Sequence, residues 1–166
     1  MTESLIIRRA TPADAAALAA LALETFVDAF GADNRPEDIA AYTSAEFGEA
    51  QQRREIEDPD IVTLLADSIA YAQLRRTPDS PHGEVELARF YVHRAHRGRG
   101  VAQTLMDTVT ANARALGTAR LWLGVWERNA RAIAFYRKCG FVQCGTQPFL
   151  LGSDLQTDWV MRRTNL

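Results

Sequence analysis

Residues 93–104 read HRAHRGRGVAQT, and the segment Arg97-Gly98-Arg99-Gly100-Val101-Ala102 has the composition of a phosphate cradle. It lies where a strand-like run gives way to a helical one. The first turn of a helix leaves about four backbone N–H groups without acceptors. The helix dipole adds roughly half a positive charge at the same end. Glycine has no Cβ, so an anion can approach the backbone closely, and Arg97 and Arg99 add charge. The combination suits a pyrophosphate. It suits a charged turn with solubilising arginines equally well, and the turn alone does not separate the two. A Walker A loop is excluded because no GxxxxGK[ST] string is present. A dinucleotide-binding GxGxxG also fails: the sixth position from Gly98 is Gln103, and no acid-ended second strand follows.

Other chemistry is sparse. His82, His93 and His96 have no ligand spacing, and Cys139 and Cys144 have no partner set, so no metal is expected. The net charge is −2, unevenly placed. Residues 1–60 hold 13 acidic and 5 basic side chains, a balance of −8; residues 61–166 hold 8 and 14, a balance of +6. Such a split fits one half handling a cation and the other an anion, or simply a solvated surface. No nucleic-acid partner is expected, because the arginines sit in one short turn and the chain is slightly acidic. No membrane partner is expected either: no apolar run approaches the roughly 18–20 residues of a span. MTESLIIRRATPADAA lacks the layout of a signal peptide, so the expected location is cytoplasmic.

The chain of 166 residues, 47% hydrophobic and 24% charged, fits one domain over 1–166. SLIIRRA (4–10) reads as a strand. Thr11, Pro12 and Asp14 open a helix with a capping-box pattern, and Leu18, Leu21 and Phe26 give it an apolar side. GADN reads as a loop. A second helix starts near Pro36, and a third crosses TSAEFGEAQQRREIED, ended by Asp58-Pro59. IVTLLA and IAYAQLRR form a hairpin around Asp67-Ser68. Residues 77–83 are a loop.

EVELARFYVH (84–93) is a strand with a fault in its alternation. Val85 and Leu87 point one way; Phe90 and Val92 would then point the other. One extra residue near Ala88–Arg89, a β-bulge, would restore the phase; a strand buried on both faces is the alternative. Beyond the glycine turn, Val101, Leu105, Met106, Val109, Ala113 and Leu116 recur at helical spacing, and Gly117 stops the helix. ARLWLGVW reads as a buried strand. NARAIAFYRKC is a short helix stopped by Gly140. FVQCGTQPFLL and LQTDWVMRR close the chain as a hairpin across GSD. Hairpins flanking a central strand–helix–strand unit predict an α/β (α+β) fold with a mixed, mostly antiparallel sheet.

RGRGVA fits the pattern [QR]-x-x-G-x-[GA] of the GNAT superfamily of N-acetyltransferases. ELARFYV precedes it, as that family's fourth strand does. About thirty residues later, LGVWERNARAIAFYRKCGF resembles the family's second motif through Asn129, Ala132, Phe135-Tyr136 and Gly140-Phe141. LETFVDAFGADNRPEDIAAY and FLLGSDLQTDWVMRR resemble a branch that includes bacterial polyamine (spermidine/spermine) acetyltransferases. The resemblance covers nearly the whole chain; Arg94 stands where many members carry proline.

The resemblance implies a sheet of about seven strands splayed between the fourth and fifth, with acetyl-CoA in the splay and no metal. Backbone groups of Phe90, Tyr91 and Val92 would pair with the pantetheine arm. The amides of Arg97–Ala102 (Arg97, Gly98, Arg99, Gly100, Val101, Ala102) would hold the pyrophosphate. An N–H near Tyr91 would face the thioester oxygen. Asn129 would bond the pantetheine arm or simply cap its helix. Tyr136 would be the general acid for the departing thiolate, against a packing role. Glu86 would be the base for the acceptor ammonium, against a solvated edge carboxylate or a water relay. The implied reaction is direct attack of a primary amine in a ternary complex. The acidic N-terminal set Glu24, Asp28, Asp33, Glu37 and Asp38 would surround a small cationic acceptor such as a polyamine, with contacts from loops 27–45 and 77–83. Acetylation of a protein N-terminus or lysine, and a non-catalytic acyl-CoA-binding regulatory module, are the rival readings. The final hairpin leaves a homodimer open.

Overall fold

Arg8 and Asp14 set the entry to the fold. The Asp14 carboxylate takes both Arg8 Nη groups at 2.8 Å and the Thr11 N–H at 2.7 Å, and this pairing holds its pKa far below the usual carboxylate range. The computed structural model describes residues 4–77 and 83–166. Strand β1 (Ile7–Arg9) leads through a tight turn into α1 (Ala15–Phe30), followed by α2 (Pro36–Glu46) and α3 (Glu49–Glu57). β2 (Ile61–Ala66), β3 (Ala70–Arg76) and β4 (Val85–Val92) come next, then α4 (Val101–Ala115), β5 (Arg120–Trp126), α5 (Ala130–Lys138), β6 (Val142–Leu151) and β7 (Asp154–Thr164). The sheet order is β1-β2-β3-β4-β5-β7-β6, with one parallel pair, β4–β5. A parallel pair needs a crossover, and α4 supplies it.

Several boundaries differ from the sequence expectation. α2 and α3 break at Phe47-Gly48 rather than near Thr43, because Gly48 is extended and caps α3. GADN begins with a 3₁₀ turn over Gly31–Asp33. The β2–β3 connection spans three residues, 67–69, with Asp67 at φ 48°. β5 buries Leu121, Leu123 and Val125 on one face and Trp126 on the other, with Gly124 exposed. Pro12–Asp33 is a 22-residue helical run long and apolar enough to cross a membrane, contrary to expectation. Its alanines make it so, and its Leu18, Leu21, Ala22 and Phe26 are buried. The loop expected over 77–83 falls mostly on 78–82, outside the described residues.

Two cores sandwich the sheet. Val101, Leu105, Met106, Val109 and Ala113 of α4 pack with Leu64, Leu74, Leu87 and Leu123 on one face. Leu18, Leu21, Phe26, Ile39 and Phe47 pack with Leu65 and Tyr71 on the other. Each fully buried large aliphatic or aromatic side chain contributes about 1.5–3 kcal/mol.

The bulge exists. Leu74 pairs with Leu87 and Gln73 with Arg89, so Ala88 is the extra residue. Phe90 and Val92 therefore join Val85 and Leu87 against the α4 side, and Arg89 turns to the α1–α3 side. There its guanidinium meets Glu55 at 2.8 Å and stacks 4.8 Å from the Phe47 ring centre. Glu55 also takes Gln73 at 3.0 Å and Arg75 at 3.2 Å. Removing one partner of a buried pair strands the other charge. Glu55→Leu should lower unfolding stability by about 3–5 kcal/mol in urea titration.

Candidate active site

β4 and β5 pair only at Val85–Leu121 and Glu86–Trp122. Beyond Glu86 they diverge, and a cavity of about 440 Å³ occupies the gap. It runs from Arg97 and Ala102 past Ala88–Val92, Asn129 and Tyr136 to a polar chamber under α1 and α2.

At one end lies the glycine turn. Gly98 and Gly100 have φ of 76° and 78°, a region that disfavours side chains. A Cβ at either would meet nothing within 4 Å, so the turn is open above its backbone. The first bond into α4 runs from Thr104 N–H to Gly100 O at 3.1 Å, so residues 101–103 have no intrahelical acceptor for their amides. Val101 turns its side chain into the core, and Ala102 lines the cavity. Arg97 also lines it and pairs with Asp28 of α1 at 2.9 Å; Arg94 reaches the same carboxylate at 3.5 Å. His93 Nε2 lies 2.7 Å from Glu24 of α1. Arg99 is exposed and stands outside the cavity lining. Arg131 of α5, which sequence reasoning missed, joins Arg97 there. Desolvation and this second guanidinium both lower the Arg97 pKa.

Along the gap, the register corrects one expectation. His93 N–H donates to Ile69 O at 2.6 Å, and alternate residues of a ladder face alternate neighbours. The Tyr91 backbone therefore faces β3, whereas Phe90 and Val92 face the gap. The Tyr91 ring stacks on Tyr71 at 5.7 Å, and burial pushes its phenol well above the usual value. Asn129 does cap α5, accepting from Ala132 N–H at 3.3 Å, and also borders the cavity. Tyr136 packs against Phe90 and Phe141 while lining the cavity, and burial raises its pKa strongly.

The chamber at the far end is not lined by the acidic set expected from the sequence. Glu24 and Asp28 hold the glycine turn. Asp38 is buried and takes the Ser153 N–H at 2.8 Å and its hydroxyl at 2.7 Å. Glu37 faces Arg35 at 3.6 Å. The carboxylates that do line the chamber are Glu46, Glu86 and Asp158. Glu86 has its pKa raised by burial, opposed by Arg75 and Arg89. Asp158, missed from the sequence, is 8% exposed. Burial pushes its pKa up to about 6 against a hydrogen bond from Gln147. The available signal was Gly124: a lone glycine inside an apolar strand marks a close approach. A Cβ there would lie 2.5 Å from Gln147 Nε2 and 3.1 Å from Asp158 Oδ2. Among the described residues, no three His, Cys, Asp or Glu side chains gather to hold a metal ion.

The seven-stranded sheet splits after one parallel pair, with a glycine-opened helix N-terminus at the split. Residues 22–141 match the model of the acetyltransferase (GNAT) family, and the chain belongs to that family. It is 39% identical over 154 residues to an uncharacterized N-acetyltransferase of Mycobacterium tuberculosis, covering 90% of this chain and 97% of that one. An uncharacterized N-acetyltransferase of Lactobacillus delbrueckii subsp. lactis is 32% identical, covering 87% and 88%. The fold is similar to that of PaiA N-acetyltransferase from Thermoplasma acidophilum, solved with coenzyme A: TM-score 0.82, 23% identity, 97% and 99% covered. The chain is thus an N-acetyltransferase of the GNAT family.

Asp158 gives a stability signature. Its folded pKa of about 6 exceeds the ordinary 3.8, so the folded state binds that proton more tightly. Stability should fall as pH rises through that window. Asp158→Asn should be more stable than the wild type at pH 7–8 by roughly 1–2 kcal/mol. The difference should close below about pH 4, as read by denaturation across pH.

Proposed function

We infer that the protein transfers an acetyl group from acetyl-CoA to the primary amine of a small cationic acceptor, both substrates bound together. The observation that carries this is the continuous cavity: an anion cradle at one end, carboxylates at the other, and an open β4 edge between. The residues present fit the donor. Gly98 and Gly100 leave the turn's backbone uncovered, and Arg97 and Arg131 supply charge for a pyrophosphate. Acetyl-CoA supplies an activated thioester. Phe90 and Val92 offer backbone groups along the gap, and one such N–H can polarise a carbonyl oxygen there. Asn129 borders the same stretch.

Tyr136 is assigned the general acid. A phenol kept protonated by burial is an O–H donor lining the gap, and it can donate to the departing sulfur as charge develops there. Carboxylates around the chamber favour a cationic acceptor over a neutral one. A polyamine is the acceptor class this reading favours; the branch resemblance supports it.

Thiol release should be measured with acetyl-CoA and a panel of spermidine, monoamines, lysine peptides and free peptide N-termini. Spermidine is expected to lead at low salt. Equal rates with neutral and polycationic amines would remove the cationic reading, and peptide leads would replace it with protein acetylation. Tight acetyl-CoA binding with no thiol release would favour a sensor. Tyr136→Phe should lower kcat by about 10²-fold and leave acetyl-CoA affinity within roughly threefold, as read by calorimetry beside turnover.

A further inference from the structure

Asp158 stands apart from the other carboxylates of the chamber by position and by company. Its strand pairs with β5 through Trp126–Asp158, and with β6 through Gln147–Asp158. Directly opposite residues share a face, so Asp158, Gln147 and Trp126 all face α1, where Trp126 meets Phe30 edge-on at 5.9 Å. Gly124 lies two residues past Trp122, the last β5 residue paired with β4. The carboxylate and the Gln147 amide lean over that glycine, into space that any side chain would fill. Asp158 is therefore held at the mouth of the split itself.

The charges nearby differ for the two carboxylates. Glu86 answers to Arg75 and Arg89, both already tied to Glu55. Asp158 is met by burial and by the neutral Gln147 amide. The other ionisable groups lining the cavity are Tyr42 and Glu46 of α2, Arg75 of β3, Glu86, Arg89 and Tyr91 of β4, Arg97 of the glycine turn, and Arg131 and Tyr136 of α5. Tyr42 is pushed to about 12, burial first, and so stays neutral. An ammonium beside Glu86 would share space with two guanidiniums. Beside Asp158 it would meet a buried carboxylate held by the neutral Gln147 amide.

We propose that Asp158, with Gly124 opposite and Gln147 orienting it, seats the acceptor's ammonium and takes its proton, in place of Glu86. This rests on the transferase reading above and names the base for it. One N–H bond of the ammonium breaks, the proton goes to the Asp158 carboxylate, and the electron pair stays on nitrogen. That pair forms the C–N bond to the acetyl carbon as the C–S bond breaks. Sulfur keeps the C–S pair and takes a proton from Tyr136, which recovers one from the second N–H through water. Asp158 then releases its proton to solvent, so one proton leaves per turnover. A carboxylate titrating near 6 is ionised at neutral pH and still basic enough to accept.

The test compares Asp158→Asn with Glu86→Gln in two readouts. Calorimetry of spermidine against the CoA-bound protein should show at least a tenfold loss for Asp158→Asn, with CoA affinity unchanged. The kcat/KM profile with the best amine of the panel should lose its acid limb near pH 6 and fall about 10²-fold. Glu86→Gln should keep the limb. Gly124→Ala, which crowds Asp158 without removing it, should also weaken spermidine binding. Retention of both spermidine affinity and the limb in Asp158→Asn, with the limb lost in Glu86→Gln, overturns the proposal. Thiol release by the wild type separates the two readings. A wild type that releases CoA while Asp158→Asn is unaltered keeps the transferase and loses the Asp158 assignment. Asp158-dependent spermidine binding without thiol release keeps the ammonium seat and loses both the transfer and the base.

Discussion

The ion pair of Arg89 with Glu55, both less than a tenth exposed, is the constraint from which the cavity descends. In an unbroken strand, Arg89 would follow Val85 and Leu87 into the apolar core beneath α4, where an unpaired guanidinium is prohibitively costly. The extra residue Ala88 turns it to the other face, where Glu55, Gln73 and Phe47 receive it. The same half-turn sends Phe90 and Val92 back to the core, where Phe90 stacks on Phe135 at 5.5 Å. A strand bent in this way cannot stay in register with β5, and the two part after Glu86. Core polarity thus decides where the sheet opens.

Much of this was legible in the residues. The phase fault between Leu87 and Phe90 located the bulge, because period two is strict once one face is buried. The spacing of Val101, Leu105, Met106, Val109 and Ala113 located α4, and Gly98 and Gly100 sit at positive φ where the turn requires them. Less legible were effects that depend on distant partners. Asp28 and Glu24 look like free acids on a helix, yet each is spent on the turn some seventy residues away. Asp38 looks like an N-terminal helix charge, yet it is buried under Ser153. Asp158 sits in a hairpin strand that reads as ordinary, and only its cross-sheet neighbour Gly124 shows that space was kept for it. Pairwise charge is a tertiary property, and counting acids along a chain does not reveal it.

The acidic half therefore serves two ends. Part of it fastens α1 to the glycine turn through Asp28–Arg97 and Glu24–His93. The rest of the chamber's carboxylates come from later in the chain, on β4 and β7, with Glu46 the N-terminal contribution. The two ends of the cavity are thereby built from shared elements rather than from separate halves.

The split after Glu86 has one more consequence: it gives the sheet an edge in its interior. Edge strands with open N–H and C=O groups ordinarily invite another polypeptide to pair with them. Here the open edge of β4 faces inward. It is bounded by Phe135 and Tyr136 from α5, by Phe26 and Phe30 from α1, and by the departing half of β5. A polypeptide strand brings side chains on both faces and needs a place among neighbours about 4.7–4.9 Å apart. A thin, unbranched chain of atoms needs neither. The protein can therefore keep unsatisfied strand backbone in its middle without the aggregation hazard that such backbone carries at a rim.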